Sequence, residues 1–266
     1  MAEFVLRVGT RSAQGLRPNN EDAFIADCDN HFFLVADGMG GQDSGEKASG
    51  MAAEIIPRVV KDRLAAHDDA CQAVRRALAE ANRAIVLAGQ SMPHGRRMGT
   101  TAVLAVQQEG KVFVAGLGDS RAYLVRGCRV EQMTVDHSVA QSLVASGALT
   151  AEEAKISPWQ HVLHKFLGCA ELPEGAEVRP FTPQSGDRLV LGSDGLTNHI
   201  TDADLLDGLR WADPQAWAEH LVETALKRGS RDNVTCVAIA FVELDARVVA
   251  AAVQPSSTID TDATLY

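Results

Sequence analysis

Two runs of β-branched and apolar residues, Lys111 to Leu117 and Arg121 to Val125, are separated only by Gly118, Asp119 and Ser120. That gap is too short for the helical crossover a parallel pair needs, so the sheets should be largely antiparallel. Further runs of the same kind lie at His31 to Ala36, Thr100 to Val106, Arg188 to Leu191 and Val234 to Val242. Their bounded, β-rich composition reads as strands. Two longer stretches instead repeat apolar residues every three to four positions. Residues 46 to 66 align Ala48, Met51, Ile55, Val59 and Leu64, and residues 69 to 90 align Cys71, Val74, Leu78, Ala81, Ile85 and Ala88. These are amphipathic helices suited to covering a sheet. A last helix fits Pro214 to Arg228. Helices grouped outside largely antiparallel sheets make an α+β fold with a central β-sandwich, not a doubly wound parallel one.

The 266 residues suffice for one large sandwich, and 46% apolar with 23% charged residues is the composition of a folded domain. With 35 Asp and Glu against 25 Lys and Arg, the formal charge is -10. Such a surface repels phosphate backbones and anionic lipids, which excludes nucleic acid and membrane as general partners. Cys28, Cys71, Cys128, Cys169 and Cys236 are scattered and never form a C-x-x-C pair. They indicate neither a disulfide framework nor a zinc knuckle, and suit a reducing compartment. The first residues lack the basic start and apolar run of a signal peptide, and no stretch reaches the roughly 18 apolar residues of a membrane helix. A cytoplasmic location is expected. After Asp245 a Ser/Thr-rich end without period reads as a disordered tail over 244 to 266, leaving 1 to 243 as the domain.

Acids recur at strand ends: FFLVAD stops at Asp37, VFVAGLGD at Asp119 and RLVLGSD at Asp194, while Asp232 precedes VTCVAIAFV. Strand ends of a sandwich gather at its rims, so these carboxylates can meet, joined by Glu21 and Asp22. Like charges brought that close must be protonated or neutralised, and hard divalent cations with oxygen shells, Mg²⁺ or Mn²⁺, are the natural occupants. Asp-Gly pairs such as Asp37-Gly38 and Asp194-Gly195 are also ordinary turn formers. Turns alone require neither an acid after successive buried runs nor the glycine-dense DGMGG, whose backbone can approach an ion. Other chemistries fail on the letters. Glu46 follows Gly45 where a phosphate-binding loop needs Lys, Asp43 stands where a dinucleotide loop needs glycine, and Leu191 replaces the first glycine of a nucleophile elbow at Ser193. No cysteine has an arginine six positions on, so the thiolate phosphatase loop is absent too. Metal-activated water is what remains.

RPNNED (Arg17 to Asp22), DGMGG (Asp37 to Gly41), GTT (Gly99 to Thr101), GDSRAY (Gly118 to Tyr123), DHS (Asp136 to Ser138), GSDGL (Gly192 to Leu196) and DNVT (Asp232 to Thr235) occur in that order. The sequence resembles bacterial-type members of the PPM or PP2C family, the metal-dependent serine/threonine protein phosphatases, over roughly residues 5 to 243. The resemblance implies an α-β-β-α sandwich, a site for two Mn²⁺ or Mg²⁺ ions at one rim, and hydrolysis of phosphoserine and phosphothreonine monoesters on proteins phosphorylated by a Ser/Thr kinase. It assigns Asp37 to bridge both ions, the Gly38 carbonyl to one, and Asp194 and Asp232 to the other. Glu21 and Asp22 would act mainly through bound water, and Asp119 with Asp194 would hold a third ion.

Arg17 matches the family's phosphate-binding arginine, whose planar fork can take two phosphate oxygens. Together Arg17 and Asp37 are the expected catalytic pair. Met39 stands where many eukaryotic relatives carry a histidine that protonates the leaving oxygen, which a thioether cannot do. His137 and His161 are the candidates for that task, beside solvent. Residues 138 to 162 match the family's flap. Gly147, and Thr150 followed by Glu153 in a capping box, give it a helix-turn-helix form, with Trp159 a candidate substrate contact. A phosphatase-like module that binds phosphoprotein without turnover is the other class, disfavoured because Asp37 and Asp232 are both present.

Overall fold

Alternate side chains of the central strands part to opposite faces, and that parting stacks four layers. In the computed structural model, which describes residues 4–40, 44–91, 98–170 and 176–243, strand β3 (Phe32–Met39) turns Phe32, Leu34 and Ala36 into one apolar cluster and Phe33 and Val35 into another. The first cluster is completed by α1 (Ser44–Ala65) and α2 (Ala70–Gln90). The second lies between the two sheets. Strand β11 (Val234–Glu243) divides likewise: Val237, Ile239 and Phe241 join the cluster between sheets, whereas Cys236 and Ala238 face α7 (Pro214–Lys227) and its buried Trp217.

The remaining strands are β1 (Phe4–Ala13), β2 (Asp22–Asp27), β4 (Gly99–Thr100), β5 (Ala102–Gln108), β6 (Lys111–Leu117), β7 (Arg121–Arg126), β8 (Arg129–Gln132), β9 (Val178–Phe181) and β10 (Arg188–Gly192). One sheet has the order β1-β11-β10-β7-β8 and the other β2-β3-β5-β6-β9, with β4 beside β3. Every pairing of these strands is antiparallel. The α+β sandwich between helical layers is thus the observed architecture. Because β6 belongs to one sheet and β7 to the other, the short turn Gly118 to Ser120 crosses between sheets at the rim.

Helix α1 buries a stripe through Ala48, Ala52, Ile56 and Val60, while Met51, Ile55 and Leu64 pack at its margin. The buried stripe is therefore centred about one position from the expected face. Helix α2 begins where Asp69 accepts the Cys71 and Gln72 N–H groups, a cap contributing about 1 kcal/mol. In the segment expected to form the flap, α3 (Val139–Ala145) and α4 (Ala151–Lys155) are joined through Gly147 at φ +76°, and Thr150 with Glu153 forms the capping box. A bridge between Ser138 and Leu163 closes the flap's base. The short helices α5 (Asp194–Thr197) and α6 (Asp202–Asp207) follow β10. Among the described residues no helix is long and apolar enough to cross a membrane. The tail after residue 243 and Gly41 of DGMGG lie outside the described residues.

Candidate active site

One rim of the sandwich opens into a cavity of about 570 Å³, lined by Glu21, Asp37, Gly38, Asp119, Asp194 and Asp232, with Arg17 at the same wall. Asp37 lies inside β3 and not at its end, since the strand runs on to Met39, where β4 pairs with it. Asp22 is not among the cavity-lining residues. It sits directly opposite Asp37 in the β2–β3 pair, with Oδ2 accepting the Ser193 hydroxyl at 2.9 Å. Asp194 opens α5, and Asp232 lies two positions before β11.

Neutral side chains fasten these acids. The Asn233 amide donates to the carbonyls of Gln14 and Asn19, and its oxygen accepts the Glu21 N–H at 2.8 Å. The loop carrying Arg17 and Glu21 is thereby stapled to β11. Thr100 and Thr101 grip the Asp37 backbone: the Thr101 hydroxyl accepts its N–H at 3.0 Å, and its carbonyl accepts from the Thr100 hydroxyl and the Thr101 N–H. At Gly38 a Cβ would run into the Gly45 and Glu21 carbonyls, so only glycine lets β3 approach α1 here. Arg121 forks onto Asp136, with Nη2 2.7 Å from Oδ2, and both side chains are largely buried. In the sequence Asn233, Thr100, Thr101, Arg121 and Asp136 are only letters of motifs. Nothing in their spacing could reveal the bonds, because Asn233 and Glu21 are 212 positions apart.

The two candidate histidines part company. His137 is held against Gly118 at the start of the crossing turn, its Nδ1 accepting the Gly118 N–H at 3.2 Å, and burial, with Lys165 and His164, lowers its pKa to about 4. It is a neutral acceptor and is not among the residues that line the cavity. His161 instead lines the cavity, its Nδ1 3.5 Å from Asp194 Oδ2, and the hydrogen bond to Asp194 raises its pKa. Trp159 is half exposed on the flap and does not line the cavity.

Charge is strained throughout the rim. Burial, then Asp22, Asp194 and Asp119, push the Asp37 carboxyl well above the usual range. Burial also acts on Asp194, but hydrogen bonds from His161 and Asp37 outweigh it and keep that carboxyl low. Burial raises Asp119 to about 7 and Asp22 to about 6. Asp22 Oδ1 is buried with no hydrogen-bond partner. One atom each from Asp119, His161 and Asp194 can lie within 4.8 Å of the other two. Mutually repelling carboxylates gathered on one cavity wall are the donor set of a hard divalent cation, so the residues present fit Mg²⁺ or Mn²⁺.

A two-sheet sandwich with an acid-lined rim defines a class, and comparison with known proteins agrees. Residues 7–143 match the family described as Protein phosphatase 2C. The serine/threonine protein phosphatase PstP of Mycobacterium tuberculosis is 33% identical over 242 residues, 91% of this chain and 46% of PstP. The chain thus spans about half the length of that relative. The serine/threonine phosphatase stp of Listeria welshimeri is 32% identical over 231 residues, covering 84% of this chain and 91% of stp. A crystal structure of the PstP catalytic domain in complex with two manganese ions superposes with a TM-score of 0.79 at 31% identity, over 91% of this chain and all of that one. This chain belongs to the protein phosphatase 2C family.

Proposed function

We propose that the chain is a metal-dependent serine/threonine protein phosphatase that hydrolyses phosphoserine and phosphothreonine monoesters with water. The observation that carries the reading is the convergence of Asp37, Asp119, Asp194, Asp232 and Glu21 on one cavity beside Arg17, in a chain of this family. Asp37, the Gly38 carbonyl, Asp194 and Asp232 are the proposed holders of two Mn²⁺ or Mg²⁺ ions, with Glu21 and Asp22 behind them and Asp119 with Asp194 for a third. Bound there, the cations supply charge that acidifies water and offsets the charge growing on phosphorus.

The chain's own side chains do the rest. Arg17 stands at the mouth, 58% exposed, its Nη2 2.6 Å from Asp232 Oδ2, so its guanidinium is held over the acids with donors left to take phosphate oxygens. Met39 lines the cavity and can transfer no proton. His161 lines it too and holds a proton more firmly than a free imidazole, so we assign it, and not His137, the protonation of the leaving oxygen. The substrates are proteins phosphorylated by a Ser/Thr kinase. Five free cysteines favour a cytoplasmic, reducing setting.

The test measures hydrolysis of p-nitrophenyl phosphate and of phosphopeptides after chelation and after adding back Mn²⁺ or Mg²⁺, beside Asp37→Asn and Asp232→Asn. Activity should vanish with chelator, return with either ion, and be nearly lost in both variants. Chelator-resistant hydrolysis would refute the mechanism. A protein inactive with every ion that still retains phosphoprotein would be a binding module instead.

A further inference from the structure

Within the GTT segment, Thr101 reaches from the backbone of Asp37 to the turn that carries Asp119. Thr101 touches the cavity wall but is only 1% exposed, and its hydroxyl is engaged by neighbouring protein groups. Its hydroxyl accepts the Asp37 N–H at 3.0 Å and meets the Ser120 hydroxyl at 2.6 Å, and Ser120 follows Asp119 in the turn that crosses between sheets. The Thr101 methyl has a separate partner: Gly118 packs so closely against it that a Cβ there would overlap Cγ2. The hydroxyl thus ties β3 to the crossing turn, and the methyl only fills space beneath that turn.

We propose that Thr101 is a positioning residue whose hydroxyl sets the Asp37 and Asp119 carboxylates at the separation that cation binding requires. This rests on the reading of those acids as cation ligands. Residues that orient ligands from behind typically change metal affinity or activity by about 10–100-fold. Two substitutions separate the two halves of the side chain. Thr101→Val keeps the methyl and loses the hydroxyl, whereas Thr101→Ser does the reverse.

The experiment titrates Mn²⁺ into the metal-stripped chain by calorimetry for the wild type and both variants. Thermal melts in chelator verify that each is folded, and kcat and KM for p-nitrophenyl phosphate are measured at fixed Mn²⁺. Thr101→Val should bind Mn²⁺ at least about tenfold more weakly and lose kcat by a similar factor, with KM nearly unchanged, while Thr101→Ser stays within about threefold of wild type. Wild-type Mn²⁺ binding by Thr101→Val would overturn the proposal. So would a defect confined to Thr101→Ser, which would make methyl packing the role. If no protein hydrolyses any substrate, the phosphatase reading fails, but the calorimetric comparison still decides what Thr101 does.

Discussion

Replacing Asp119 by asparagine should stabilise the cation-free protein above neutral pH, against the usual result of altering a buried polar side chain. Asp119 is 8% exposed, and burial, reinforced by Asp194 and Asp136, raises its pKa from 3.8 to about 7. At about 1.4 kcal/mol for each tenfold change in proton affinity, the ionised side chain costs the folded state about 4 kcal/mol. The folded chain holds this proton more tightly than the unfolded one. The group is therefore neutral to stability below pH 3.8, destabilises increasingly as pH rises, and exacts its full cost above about 7. Asparagine never ionises. For a domain of this size 1 kcal/mol moves the melting temperature by about 2–4 °C, so in chelator Asp119→Asn should melt on the order of 10 °C above wild type at about pH 8. The gap should close towards about pH 4. Saturating Mn²⁺ should reverse the order, because a ligand stabilises only the state that binds it and asparagine removes one anionic donor. Thermal melts in chelator across this range are the assay. Parallel curves for the two proteins would show that Asp119 does not sit in the crowded, buried field described above.

Arg17→Ala should raise KM for phosphopeptides about tenfold or more, the worth of a charge-assisted bond to phosphate, while calorimetric Mn²⁺ binding persists. Loss of Mn²⁺ binding would instead make its contact with Asp232 the dominant role. Asp136→Asn breaks the largely buried pair with Arg121 and leaves that guanidinium uncompensated, which should cost about 3–5 kcal/mol in urea unfolding. A loss below about 1 kcal/mol would mean that solvent reaches Arg121 and takes over from Asp136.

The sandwich was legible because its inner strands are apolar on both faces and its covering helices on one. Strand β1 escaped notice although it pairs with β11 from Phe4 opposite Glu243 to Ala13 opposite Val234. It is an edge strand whose residues are mostly only half buried, so the pattern FVLRVGTRSA carries polar letters that look like loop. Asp37 was read as a strand end because apolar character stops at Ala36, but backbone pairing with β4 continues past it. Chemistry concentrated in acids showed through, since acids beside buried runs are costly without a purpose. The bonds of Asn233, Ser193 and Thr101 did not, because small neutral polar residues are common in turns and only the assembled rim shows what they hold.

The rim's composition ties function to assembly. Asp22 and Asp37 belong to one sheet, Asp194 and Asp232 flank strands of the other, and Asp119 rides the turn between them. Without cations these acids repel across the line where the sheets meet, so something must hold the sheets together against them. Phe33, Val35, Leu189, Leu191, Val237 and Ile239 fill the space between the sheets and are almost wholly buried. Each such side chain contributes about 1.5–3 kcal/mol, so two or three offset the roughly 4 kcal/mol that ionised Asp119 costs. The sandwich can thus hold a charged, cation-ready cluster before any ion arrives. Weakening the inter-sheet core should accordingly lower cation affinity even where the altered residue touches no acid: Ile239→Ala, expected to cost about 2–5 kcal/mol by cavity formation, should bind Mn²⁺ more weakly in the same calorimetric titration. Unchanged affinity in a folded Ile239→Ala protein would mean that local bonds such as those of Asn233 and Thr101 hold the rim without help from the packing beneath it.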